Sequence, residues 1–108
     1  MAGVRQLSPA DVRDLLADTP DAVLLDVREP WEYDIAHLPG STLTPFALLP
    51  LKLRDLNPEA PTVVLCHHGV RSWHAACLLE QSGFKTVFNL AGGIDAWSRE
   101  LDPELPRY

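Results

Sequence analysis

The sequence predicts an α/β fold, a mostly parallel sheet with helices on both faces. Three observations carry this. The continuous apolar runs Ala22-Val23-Leu24-Leu25, Thr62-Val63-Val64-Leu65 and Thr86-Val87-Phe88 read as strands buried on both faces. Stretches with apolar residues at helical spacing lie between them. Strand and helix patterns alternate along the chain, the order of a parallel sheet with crossover helices.

The elements follow in order. Ser8-Pro9-Ala10-Asp11 opens a first helix, with Ser8 as N-cap, Pro9 at the first helical position and Asp11 in the first turn. Val12, Leu15 and Leu16 supply its apolar stripe, and Pro20-Asp21 closes it. The strand 22–25 leads into Asp26-Val27-Arg28. A short helix over 29–36 tolerates Pro30 in its first turn. Leu38-Pro39-Gly40 is a turn, and Ser41-Thr42-Leu43 a short strand before Pro45. A leucine-rich helical stretch from Phe46 to Leu56 bends at Pro50 and ends at Asn57-Pro58. After the strand at Thr62–Leu65 comes the Cys66 loop. A helix over 72–81 then carries the stripe Ser72, Ala75, Ala76, Leu79, with Gly83 after its C-terminus. Thr86-Val87-Phe88 is a further strand, Gly92-Gly93 a turn, and Ile94-Asp95-Ala96-Trp97 starts a last short helix. Residues 101–108, with two prolines, read as a tail.

At 108 residues and 46% apolar, the chain suits one soluble domain with a single core. No apolar stretch approaches the roughly 20 residues of a spanning helix, and Met1 to Pro9 lacks the apolar core of a signal peptide. The net charge of -6 argues against nucleic acid and anionic membrane as partners. Two cysteines, Cys66 and Cys77, do not make a disulfide framework; free thiols in a reducing, cytoplasmic setting are expected.

The run Cys66-His67-His68-Gly69-Val70-Arg71-Ser72 is the candidate site. A cysteine between a strand end and a helix N-terminus faces backbone N–H groups and the positive end of the helix dipole. Both favour thiolate, the nucleophilic form. Gly69 lets the loop turn its N–H groups inward, and Arg71 closes it with a fixed cation. Between Glu59 and Glu80 the sequence has no acid, a local setting suited to an anionic ligand. The bland alternative is a buried structural cysteine.

Cys66-x4-Arg71-Ser72 resembles the active loop of the rhodanese family. Asp26-Val27-Arg28-Glu29, Glu32-Tyr33 and His37-Leu38-Pro39-Gly40 resemble that family's first motif, and Gly92-Gly93-Ile94 with Ala96-Trp97 its last. The likeness runs over about 6–97, so the chain is similar to a single-domain rhodanese spanning 1–108. It implies a rhodanese-like three-layer sandwich with a mostly parallel five-stranded sheet. It also implies a sulfurtransferase in which Cys66 takes a sulfane sulfur from a small anionic donor such as thiosulfate, becomes a persulfide, and passes the outer sulfur to a thiol or cyanide acceptor. His67, His68, Gly69, Val70, Arg71 and Ser72 would hold the donor and the persulfide. No metal or organic cofactor is implied. The alternative is a persulfide carrier that hands sulfur to an accepting protein with little turnover on small donors. Related phosphatases and arsenate reductases carry five residues between cysteine and arginine; this chain has four, a cradle sized for a terminal sulfur.

Other residues carry competing readings. Cys66, His67, His68, His74 and Cys77 are metal-ligating types but lack the paired spacing of a zinc site. Cys77 is a resolving thiol or a helix residue with no chemistry, the latter being favoured. Asp26 and Arg28 lie at a strand end beside the loop. They read as a loop anchor, with Arg28 retained as a second contact to the donor. His37 reads as a hydrogen-bonding residue at a turn, Trp73 as a surface residue or pocket wall, and Trp31 and Trp97 as core.

Overall fold

The computed structural model describes residues 3–108. Met1 and Ala2, the start of the segment judged for a signal peptide, lie outside the described residues. Five strands, β1 (Arg5–Leu7), β2 (Val23–Asp26), β3 (Ser41–Leu43), β4 (Thr62–Leu65) and β5 (Val87–Leu90), form one sheet in the order β1-β5-β4-β2-β3. All four pairings are parallel. The helices are α1 (Pro9–Asp18), α2 (Pro30–Ile35), α3 (Leu49–Lys52), α4 (Val70–Gln81) and α5 (Gly93–Glu100). Among the described residues no helix is long and apolar enough to cross a membrane.

The strands are apolar throughout because both faces are covered. Side chains alternate across a strand. Leu24, Val63, Leu65, Phe88 and Leu90 therefore join Val12 of α1 and Ile94 of α5 on one face. Leu25, Val64 and Val87 join Ala75, Ala76 and Leu79 of α4, with Leu49 of α3, on the other. Burying each such aliphatic side chain is worth roughly 1.5–3 kcal/mol, and both faces contribute.

Helix ends follow local chemistry. Ser8 caps α1, its Oγ accepting from Asp11 N at 3.1 Å, as predicted. Glu29 and Glu32 make a reciprocal capping box at the start of α2. The predicted stripe Ser72, Ala75, Ala76, Leu79 is the buried face of α4.

Several expectations need correction. Arg5–Leu7 is a strand that local pattern does not reveal; three residues, two of them exposed, hold no apolar run. β5 continues through Asn89 and Leu90 instead of stopping at Phe88. The leucine-rich stretch is a 3-10 turn at Phe46–Leu48, the one-turn α3, and a second 3-10 turn at Leu53–Asp55; prolines and chain bends leave no room for one helix. Trp31 is 61% exposed and is not core. Trp97 packs against the α1/α5 face as expected. Residues 101–108 form no helix or strand, yet Leu105 and Tyr108 pack onto that same face and Ser98 Oγ donates to Leu105 O.

Candidate active site

β4 is the central strand and Cys66 follows its last residue. Parity places Cys66 with Val64 on the α4 face. The chain then turns through His67, His68 and Gly69 into α4. Gly69 has φ +104°, a conformation that favours glycine, and its N–H donates to Cys66 Sγ at 3.1 Å. Ser72, in the first turn of α4, sits with Oγ 3.3 Å from the same sulfur. The sequence suggests several amides around the sulfur; one amide and one hydroxyl reach it. Cys66 is 1% exposed, at the floor of the loop.

The loop is also held from behind. Cys66 O accepts from Ile94 N at 2.9 Å and His67 O from Asp95 N at 3.1 Å. This contact requires Gly93, where a Cβ would lie 2.3 Å from His67 O and 2.5 Å from Cys66 O. The glycine pair of the last motif thus lets α5 dock its N-terminus on the nucleophile loop.

Arg71 does not stand as a free cation. Its two terminal nitrogens bind the Glu32 carboxylate at 2.7 and 2.9 Å. This hydrogen bond holds the Glu32 carboxyl at about 2, far below its ordinary value. The acid-free stretch between Glu59 and Glu80 therefore gave only half the picture, because the fold brings α2 against the start of α4.

Asp26 and Arg28 are both fully buried and paired at 2.7 Å. The remaining Arg28 donors go to Ala36 O, Glu32 O and the Tyr108 hydroxyl. Arg28 is 0% exposed and every one of its donors is bound to protein, as a loop anchor would be. Its role is to tie β2, α2 and the C-terminal segment together.

Tyr108 also lies against the loop, a residue that sequence reading passed over. Its hydroxyl donates to Glu32 Oε2 at 2.6 Å and accepts from Arg28 Nη1 at 2.9 Å. Its ring stacks on His67 with centroids 3.9 Å apart. Burial, with the Glu32 carboxylate beside it, pushes the phenol up to about 12. Burial and the neighbouring His68 push His67 below its ordinary value, against a weaker opposing pull from Asp95, Glu32 and the Tyr108 backbone. A neutral ring fits that position. An aromatic residue after a polar, proline-bearing segment was the only available signal.

The other candidates separate. Val70 is 68% exposed, and His68 is exposed. Trp73 is a surface residue. Cys77 is a half-buried free thiol. His37 hydrogen-bonds Tyr33 O and stacks on the Tyr33 ring, as its turn position suggests. Among the described residues the suggested cysteine–histidine metal set does not converge. His67, His68 and Asp95 do bring ligand atoms within 4.8 Å of one another. Asp95, however, is bound by Arg107 and Arg99 at 2.9 and 3.0 Å. The two imidazoles lie stacked with centroids 3.9 Å apart. That arrangement fits a cation poorly.

The profile of the rhodanese-like domain matches residues 8–100. The chain belongs to the rhodanese-like domain family. It is 46% identical over 92 residues to a chloroplastic rhodanese-like/PpiC domain-containing protein of Arabidopsis thaliana, covering 82% of this chain but only 31% of that protein. It is 31% identical to a thiosulfate sulfurtransferase of Pseudoalteromonas translucida, covering 95% of this chain and 97% of the relative. The crystal structure of a rhodanese-related protein from Thermoplasma volcanium superposes with a TM-score of 0.82 at 31% identity, covering 90% and 93% of the two chains. The sheet has the five strands that the resemblance implies, and it is all parallel where a mostly parallel one was expected.

Proposed function

We propose that this rhodanese-like domain is a sulfurtransferase working through a persulfide on Cys66. The observation that carries the reading is the sulfur itself: Sγ lies at the end of the central strand, 3.1 Å from the Gly69 amide and 3.3 Å from the Ser72 hydroxyl, at the start of a 12-residue helix. The Gly69 amide stabilises negative sulfur as it stands, and the Ser72 hydroxyl is close enough to donate to it once its hydrogen is turned that way. The thiolate would attack the outer sulfur of thiosulfate, forming an S–S bond while sulfite leaves with the electron pair of the bond that breaks. Cyanide or an acceptor thiolate would then attack the outer sulfur, and the electron pair of the cleaved S–S bond returns to Sγ. The name of the Pseudoalteromonas relative supports thiosulfate as donor.

A second reading, a persulfide carrier serving an accepting protein, is favoured by one observation. Arg71 is engaged bidentately by Glu32, which leaves less positive charge for a small anionic donor. A rate separates the two. With thiosulfate and cyanide, an enzyme gives continuous thiocyanate release that vanishes in Cys66→Ala. A carrier gives one sulfur per chain and then stops. No loading of either kind would remove both readings.

A further inference from the structure

Ser72 has one hydrogen and two claimants for it. Its Oγ lies 2.5 Å from Asn89 Oδ1 and 3.3 Å from Cys66 Sγ. Asn89 is 1% exposed and Ser72 is fully buried, so both claimants sit in a low-dielectric setting. The orientation of the Asn89 amide is fixed by its other end. Nδ2 donates to Gly69 O and to Gln6 Oε1, each at 3.0 Å. A flipped amide would set two oxygens against each other at the Gly69 carbonyl, which cannot itself flip. Oδ1 therefore faces Ser72, and this amide oxygen, a far stronger acceptor than a thiol sulfur, takes the hydrogen.

The consequence falls on the sulfur. With its hydrogen on Asn89, Ser72 turns a lone pair toward Sγ. That lone pair accepts from a thiol S–H and opposes a thiolate. When Cys66 ionises, the hydroxyl must rotate its hydrogen onto Sγ and leave Oδ1 of Asn89 buried without a donor. We propose that Asn89 is a positioning residue that withholds the Ser72 hydroxyl from Cys66, so that the sulfur ionises only by breaking the Ser72–Asn89 hydrogen bond. On the sulfurtransferase reading, the hydroxyl faces Asn89 in the thiol and persulfide states. It faces Sγ when the sulfur is a nucleophile or a leaving thiolate. The charged and titratable groups near the loop, Arg71 with Glu32 of α2, His67 with Tyr108, and Asp95 at the start of α5, are outside this contact and stay constant in the comparison below.

The test is a double-variant cycle read by the pH midpoint of Cys66 alkylation, in a Cys77→Ser background. Asn89→Ala should lower the midpoint by on the order of one pH unit, because the hydroxyl is then free to donate to sulfur. In a Ser72→Ala background the same Asn89→Ala change should produce no shift. A shift that persists without the Ser72 hydroxyl would mean that Asn89 acts by holding Gly69, and it would overturn the proposal. So would an upward shift or none. Should Asn89→Ala not fold, the infrared S–H stretch of the unsubstituted Asn89 protein decides. The proposal expects a band lowered by donation to Ser72 that rises in Ser72→Ala; equal bands in the two proteins contradict it. Neither readout needs a sulfur donor, so failure here and failure of sulfur transfer are separate results.

Discussion

Two arginine–carboxylate pairs sit within one network and behave as opposites. Asp26 and Arg28 are two residues apart, and both side chains are fully buried. Glu32 and Arg71 are 39 residues apart; the Glu32 side chain is 4% exposed and the Arg71 side chain 36%. The Tyr108 hydroxyl joins the two pairs, accepting from Arg28 and donating to Glu32. A guanidinium with every donor bound to protein is scaffold. One with an open flank beside a sulfur can still answer to a ligand. Exposure, not residue type, separates the two roles.

The sealed pair should give the largest effect when broken. Asp26→Ala leaves a buried guanidinium without its carboxylate, and such losses cost about 3–5 kcal/mol. Urea unfolding at neutral pH measures it. A loss below about 1 kcal/mol would mean that Arg28 is not sealed. The open pair should matter less to stability. Glu32→Gln should cost on the order of 2 kcal/mol, between exposed and buried pairs, and should also release Arg71, lowering KM for thiosulfate.

The open pair also predicts an acid signature. Glu32 is held at about 2, below its unfolded value near 4.5. Its contribution is therefore complete above about pH 4.5 and is lost as pH falls through about 2. Unfolding free energy measured across that window should decline more steeply in the wild type than in Glu32→Gln. Parallel curves would contradict the assignment. The bridge should cost about as much as the open pair. Tyr108→Phe keeps the ring on His67 but removes a hydroxyl bonded to two charged groups, a change worth about 1.5–3 kcal/mol in urea unfolding.

Local features were legible because their causes are local. The Ser8 cap, the strand Thr62–Leu65 and the loop from Cys66 to Ser72 are each written within a few residues. The glycine pair was readable as a turn, though its reason, room for the Cys66 and His67 carbonyls, is tertiary. What sequence reading missed comes from contacts across the chain. Glu32 reaches Arg71 only because β2 and β4 are neighbours in the sheet. The short edge strand Arg5–Leu7 is recruited by β5. Asn89 interrupts the apolar run Val87-Phe88-Asn89-Leu90. A polar residue buried within such a run must have partners, and that signal was available. Tyr108 had almost none, since its aromatic ring acquires meaning only beside His67, Trp31 and Arg28.

The most direct measurement is the mass of the intact chain before and after thiosulfate, with the two cysteine peptides resolved. A persulfide mechanism at the loop predicts one added sulfur on Cys66, none on Cys77, and its removal by cyanide. An unmodified Cys66, or sulfur carried on Cys77 instead, would contradict it.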